Sequence, residues 1–253
     1  MKKLVFVFFL CVTSSFGMLP EDSSHSKLMV KTSEVNKMED SENEVFKNLY
    51  QFSIYIPPMD FTIHQYLLAT DPAILFAAGT VQQAEKALLE IKKILGDRPL
   101  KYIFVSHMES DEMAGIEILQ KAYPDVTVIC GHLAAREFFG YGYKINILPK
   151  KCGEILEDGE LKLQFIDYPA EVHLQNGLVA LELNSGIFYS SDLMLSFGNG
   201  IGKTKESDWK SEIESIPLER VPNEKKLREL KDSLQKISPK FVAVGHGYCI
   251  NCE

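Results

Sequence analysis

The chain has 253 residues, of which 45% are hydrophobic and 25% charged, and its net charge is −8. That size and balance suit one globular domain with a short appendage. The acidic excess, with Lys and Arg scattered along the chain, excludes nucleic acid as a partner, because neutralising phosphates needs clustered basic residues. The densest basic stretch, Glu224–Lys231, alternates with Glu and Leu and reads as a solvated helix face.

Residues 1–17 carry Lys2 and Lys3, then an apolar run from Leu4 to Val12, then the small polar set Thr13 to Gly17. This is the shape of a secretory signal peptide, too short to span a bilayer as a helix. It leads to the expectation of a periplasmic or secreted protein. Read instead as an apolar element of the domain, the same residues leave the protein cytoplasmic. Residues 18–48 are rich in Ser, Glu, Asp, Lys and Asn, cannot bury enough apolar surface to fold alone, and read as a polar linker. The sequence has no apolar run of transmembrane length, so the protein is not expected to be transmembrane, and the folded domain is expected over 49–253.

The pattern then alternates between strand and helix. Phe52 to Ile56 and Phe61 to Leu68 read as strands, and Ala73 to Ala78 as a buried strand ending at Gly79. From Gln82 to Leu95, apolar residues at Ala84, Ala87, Leu88, Ile91 and Leu95 have helical spacing, and Gly96 is a stop. Tyr102 to Val105 is a short apolar strand running into Ser106-His107. Helices are expected at Gly115 to Ala122, Leu133 to Phe139 and Lys225 to Lys236. Further strands are expected at Val126 to Cys130, Glu160 to Asp167, Gly177 to Leu183, Ile187 to Ser190 and Phe241 to Val244. Mixed strands and helices over this length imply a layered α/β or α+β domain with two sheets inside.

The chemistry-bearing residues sit where these strands end. His107, Glu109 and Asp111 follow the Tyr102 to Val105 strand at alternate positions, which in an extended segment points all three the same way. Three converging ligand-type residues are what a metal site requires. Asp192 follows the Ile187 strand, His246 follows the Phe241 strand, and His173 lies between strands. Singly, each has a bland reading, as a turn residue or a structural histidine. His132 opens a helix and suits a surface or capping role; His64 lies mid-strand and His25 in the linker. Of the five cysteines, Cys249 and Cys252 form a C-x-x-C just past His246. That pair is open to a redox, a metal or an accidental reading.

Together these residues resemble the metallo-β-lactamase superfamily, whose αβ/βα sandwich has a metal loop after a buried strand and then a His, an Asp and a His in that chain order. The zinc hydrolases of the superfamily have His-x-His-x-Asp-His. Here Glu109 stands for their second His and Glu112 for their last. His-x-Glu-x-Asp is instead similar to the flavodiiron proteins and the oxygen-binding diiron domains, and the surrounding Phe-Val-Ser-His107-Met-Glu-Ser-Asp-Glu-Met-Ala-Gly and Phe-Tyr-Ser-Ser-Asp192 extend the likeness over roughly Phe52 to Tyr248. His173 is followed by Leu-Gln-Asn-Gly, where that group has an aromatic residue and a Pro.

The resemblance implies an α+β metallo-β-lactamase fold, two mixed β-sheets flanked by helices. It also implies a metal set of His107, Glu109, Asp111, His173, Asp192 and His246. His107, Glu109 and His173 would hold one ion, Asp111 and His246 the other, with Asp192 bridging. The cofactor would be two Fe ions, with Zn or Mn as the alternatives, since carboxylate in place of imidazole hardens the site. The ligand would be dioxygen or nitric oxide. The sequence holds no Gly-rich flavin or dinucleotide loop. Turnover as an oxidoreductase is therefore expected to need a separate redox partner, and without one the domain would serve as an oxygen binder or sensor. A homodimer is one assembly the resemblance suggests. A di-zinc hydrolase, which activates a bridging water, is the competing reading, and a metal-free binding module is a third.

Overall fold

The computed structural model describes residues 44–169 and 177–253. Two expectations, the signal peptide at 1–17 and the ligand His173, lie outside the described residues, as does most of the segment read as linker. That segment's last residues are not linker. Glu44–Phe46 form strand β1, which pairs antiparallel with β2 (Leu49–Ile56) through the turn at Lys47-Asn48. Asn48 takes the left-handed backbone that tight turns use, at φ 60°.

The first half continues through β3 (Phe61–Leu68), β4 (Ala73–Phe76), helix α1 (Val81–Leu95), β5 (Leu100–Val105), the single turn α2 (Ser110–Met113), α3 (Ile116–Ala122), β6 (Thr127–Gly131), α4 (His132–Gly140) and β7 (Asn146–Lys150). The seven strands form one sheet in chain order. The first four are antiparallel neighbours, and the crossovers through helices make the last three pairings parallel. α1 starts where Thr80 accepts a hydrogen bond from the Gln83 N–H and stops at Gly96, whose φ of 59° a side chain would resist. β7 was not visible in the sequence because Pro149 interrupts it. It is tolerated because β7 is an edge strand.

The second half runs β8 (Ile155–Asp158), β9 (Leu161–Tyr168), β10 (Gly177–Glu182), β11 (Ile187–Ser191), β12 (Thr204–Glu206), α5 (Trp209–Ser215), α6 (Glu224–Leu234), β13 (Phe241–Val244) and β14 (Cys249–Asn251). Its sheet order is β12-β14-β13-β11-β10-β9-β8, with β11 and β13 parallel in a mainly antiparallel sheet. Three-residue β12 and β14 carry too little period to be read from sequence.

Three apolar layers hold this together. Phe76, Phe104, Tyr66 and Leu49 of the first sheet meet Phe165, Tyr189, Ala243 and Phe241 of the second in one buried cluster. The first sheet's other face packs on α1, α3 and α4 through Leu67, Leu75, Ile91, Ile103, Leu119 and Phe138. The second sheet's other face packs on α5 and α6 through Val179, Phe188, Ile213, Leu230, Leu234 and Val242. Burying both faces is why β4, β5, β11 and β13 are continuously apolar rather than alternating. The expected two mixed sheets flanked by helices are what is seen. No helix among the described residues is long and apolar enough to cross a membrane.

Candidate metal centre

β5, β11 and β13 all end at the same edge of the sandwich, and each delivers polar residues there. β5 is followed by His107 and Glu109, with Asp111 in the first turn of α2. β11 is followed directly by Asp192, and β13 by Gly245-His246-Gly247. β11 and β13 are parallel neighbours, so their ends meet by topology.

The sequence argument for the loop was half right. Alternation in an extended chain explains His107 and Glu109, whose Nε2 and Oε2 atoms lie 3.5 Å apart. It does not explain Asp111, because the chain turns helical at Ser110. That turn swings Asp111 away from His107 and toward His246, with Oδ2 3.3 Å from Nε2.

Asp192 lies between the two groups. Its Oδ2 is 3.4 Å from His107 Nε2, and its Oδ1 is 3.1 Å from His246 Nε2. One donor atom each from His107, Glu109 and Asp192 fall within 4.8 Å of one another. Ligand atoms about 2.1 Å from a shared ion sit roughly 3.0–3.4 Å apart, and these nitrogens and oxygens lie 3.1–3.5 Å apart.

The protonation pattern argues the same way. His246 Nδ1 lies 2.9 Å from the carbonyl oxygen of Thr62, which can only accept, so Nδ1 carries a proton. A neutral His246 therefore presents a bare lone pair at Nε2, facing two carboxylates. Asp192 Oδ1 is buried and takes no hydrogen bond, despite its closeness to that nitrogen. Lone pair against lone pair is repulsive unless a proton or a metal cation lies between, so the donor set fits a cation.

Burial alone would lower both imidazoles. For His107 the carboxylates of Asp192 and Glu109 outweigh it and hold the ring well above its usual range. Asp192 and Asp111 raise His246 in the same way. Burial would raise Asp192, but the two imidazoles hold it well below the usual carboxylate range. Burial raises Asp111. A cluster that draws protons this strongly draws a divalent cation by the same field, and releases protons as it does so.

Glu112, in the position where the zinc hydrolases have a histidine, does not face this space. It is 3% exposed, and both of its oxygens accept hydrogen bonds. Tyr189 donates to its Oε1 at 2.6 Å, Ser191 to the same oxygen at 2.8 Å, and the Ser106 N–H to Oε2 at 3.2 Å. Burial pushes its pKa up to about 7. Ser191, just before Asp192, has φ 48° with a side chain present, a strained conformation of the kind that gathers at functional sites. These supporting residues were not read from the sequence. Only Glu112 was singled out there, as standing where the zinc hydrolases have their last ligand.

His173 lies outside the described residues. The described flanks of its segment do approach His107. The Tyr168 ring stands edge-on to it at 6.4 Å, and the Leu178 N–H donates to the Ser106 carbonyl at 3.0 Å. His132 is an exposed residue at the start of α4, and His64 is buried, with both ring nitrogens in contact with protein groups.

Of the readings of the C-x-x-C, geometry disfavours the redox and metal ones and leaves the accidental one. Cys249 lies on β14 and faces the layer between the sheets, while Cys252 packs against the outer layer beneath α5 and α6. Residues three apart in a strand point to opposite faces. Both are free thiols, and burial pushes each up to about 11, so neither is a poised thiolate.

The sequence profile described as ODP family beta lactamase matches residues 61–247. No curated protein sequence matches the chain. Solved structures with the same fold include the flavodiiron protein of Giardia intestinalis, with a TM-score of 0.68 at 16% identity over 85% of this chain and 57% of that one. A point mutant of the flavo di-iron protein of Thermotoga maritima gives 0.65 at 18% identity, covering 80% of this chain and 55% of that one. Rubredoxin oxygen:oxidoreductase from Desulfovibrio gigas gives 0.63 at 15% identity, covering 86% and 57%. This chain spans little more than half the length of each.

Proposed function

Because this chain belongs to the ODP family of beta-lactamase-like domains, we propose that it is a non-haem diiron protein that binds or reduces dioxygen or nitric oxide. The observation that carries the reading is the Asp192 carboxylate, with one oxygen turned to each of two buried imidazoles. His107, Glu109 and His173 would hold one ion, Asp111 and His246 the other, and Asp192 would be shared. A bound iron pair supplies two reducing equivalents and the coordination positions for a diatomic ligand.

The chain's own residues then do three things. The carboxylates offset the charge of the ions and favour iron over softer-ligand zinc. Thr62, Ser191 and Ser106 lie against the outward nitrogens of the two imidazoles. Phe61 stacks on His246 with ring centres 4.3 Å apart, and Phe197 lies 5.8 Å beyond it. This apolar wall limits water on the His246 side and offers an apolar diatomic a favourable surface. As an oxidoreductase the domain would draw electrons from a separate donor, since dioxygen reduction to water takes four and the pair supplies two.

The test is elemental analysis of protein expressed with iron and zinc both supplied, followed by optical spectra before and after anaerobic reduction. Two irons per chain, with near-ultraviolet absorption that bleaches on reduction and returns in air, is the expected result. Two zincs with no redox-dependent spectrum would overturn it in favour of a hydrolase.

A further inference from the structure

β3 belongs to the first sheet, yet it grips the loop that the second sheet uses to present His246. The main-chain N–H of His64 donates to the Gly245 carbonyl at 2.9 Å. His64 Nε2 lies 2.7 Å from the Gly247 carbonyl, and its Nδ1 lies 2.6 Å from Ser53 Oγ on β2. Two residues earlier, the Thr62 carbonyl accepts from His246 Nδ1. The loop is thus held on both sides of the ligand and at the ligand itself.

The tautomer of His64 follows from its partners. A carbonyl oxygen only accepts, so Nε2 carries the proton and donates to Gly247. Nδ1 is then the acceptor for the Ser53 hydroxyl. The ring is 1% exposed, and burial pushes its pKa down to about 3, which keeps it in this neutral form. The loop has no slack to find another arrangement. Gly247 has φ 85°, and an added Cβ there would lie 2.2 Å from Ser196 Oγ. At Gly200 an added Cβ would lie 1.8 Å from the Gly247 carbonyl oxygen that His64 holds. The Ser196 N–H also donates to the His246 carbonyl at 3.1 Å.

We propose that His64 is a positioning residue for the metal centre: by fixing Gly247 with its ring from the facing sheet, it sets the place of His246 and so the affinity of the Asp111/His246 half alone. The inference rests on the two-ion reading above. The described residues of the other half, His107 and Glu109, follow β5 and have no bond to His64. A merely structural role would instead weaken the whole domain, and both ions equally.

The experiment is calorimetric titration of metal-free protein with Mn(II), chosen to avoid oxidation, on wild type, His64→Leu and His64→Gln, with circular dichroism for folding. Wild type should bind two ions. His64→Leu should keep one and bind the second roughly 10–100-fold more weakly, the range seen when partners behind a metal-binding histidine are removed. His64→Gln, whose amide nitrogen can still donate to Gly247, should recover most of that loss. Equal weakening of both ions in a folded His64→Leu, or two unaltered ions, would overturn the proposal. So would a glutamine variant no better than leucine. Should His64→Leu fail to fold, the comparison of His64→Gln with Ser53→Ala replaces it: loss of the Ser53 hydroxyl should weaken the second ion selectively, and unaltered binding in both variants would overturn the proposal. Wild type binding fewer than two ions would instead count against the two-ion reading itself.

Discussion

The two imidazoles that face Asp192 are held in opposite ways. His246 donates from Nδ1 to a main-chain carbonyl at 2.9 Å, stacks on Phe61, and sits in a loop tied at Gly245 and Gly247. Among the described residues, His107 has only hydroxyls near its Nδ1, Ser191 Oγ at 3.4 Å and Ser106 Oγ at 3.5 Å, both long for a hydrogen bond. The fold therefore dictates which His246 nitrogen is bare, whereas the His107 tautomer is set by rotating hydroxyls and by whatever occupies the cluster. One half of the centre is preorganised by backbone. The other is completed by its ligands.

Asp192 is where the comparison breaks hardest, because it belongs to both halves. Replacing it with Ala should abolish stoichiometric binding of both ions, a loss of more than about 100-fold in affinity, since each ion loses a charged ligand and the pair loses its link. Asp111→Asn should lose one ion only. Metal content after gel filtration distinguishes the two. An Asp192→Ala protein that still carries one full ion would show that the halves are independent and that Asp192 is not shared.

The same contrast explains what could be read from the sequence. His107, Glu109 and Asp111 lie in one short segment, so they stand side by side in the chain and announced a metal site. Asp192 and His246 are single residues at strand ends, and only the parallel pairing of β11 with β13 brings them together. Their chain order carried the resemblance, together with the Phe-Tyr-Ser-Ser run before Asp192. The buried strands and amphipathic helices were legible because both sheet faces are covered. β1, β12 and β14 were not, being three residues each, nor was β7, with its proline. The grip of β3 on the His246 loop was invisible for a different reason. His64 stands in mid-strand, where sequence alone gives a histidine no partner, and its partners Gly245 and Gly247 are some 180 residues away.

A half built on a neutral histidine should be acid-sensitive. His64 has a folded pKa of about 3 against about 6.5 in the unfolded chain. Below 6.5 the unfolded state therefore binds the extra proton, and stability rises with pH there. The contribution is fully present above pH 6.5 and is lost as pH falls from 6.5 toward 3, at about 1.4 kcal/mol per unit. Urea unfolding of the metal-free protein between pH 7.5 and 5 should cost wild type about 2 kcal/mol more than His64→Gln, which has no such proton to refuse. Parallel curves for the two proteins would mean that His64 is not held neutral by burial, and that the preorganised half is no more acid-labile than its neighbour.

The smallest effect is expected beneath that same half, at the cysteines. Cys249 sits on the strand next to β13, with its sulfur 3.2 Å from the Tyr66 hydroxyl and 3.5 Å from Gln51 Nε2. A serine can use both partners, so Cys249→Ser should cost no more than about 1–2 kcal/mol in stability. Cys252 is half-buried on the opposite face, and Cys252→Ser should fall within about 0.5 kcal/mol. Neither side chain reaches the other, and burial keeps both as thiols, so the pair cannot cycle between dithiol and disulfide without unpairing β14. The double variant should therefore keep its metal content and its rate of reoxidation in air. Slowed reoxidation with full metal would mean that β14 opens in solution and that the tied half of the centre is looser than its hydrogen bonds imply.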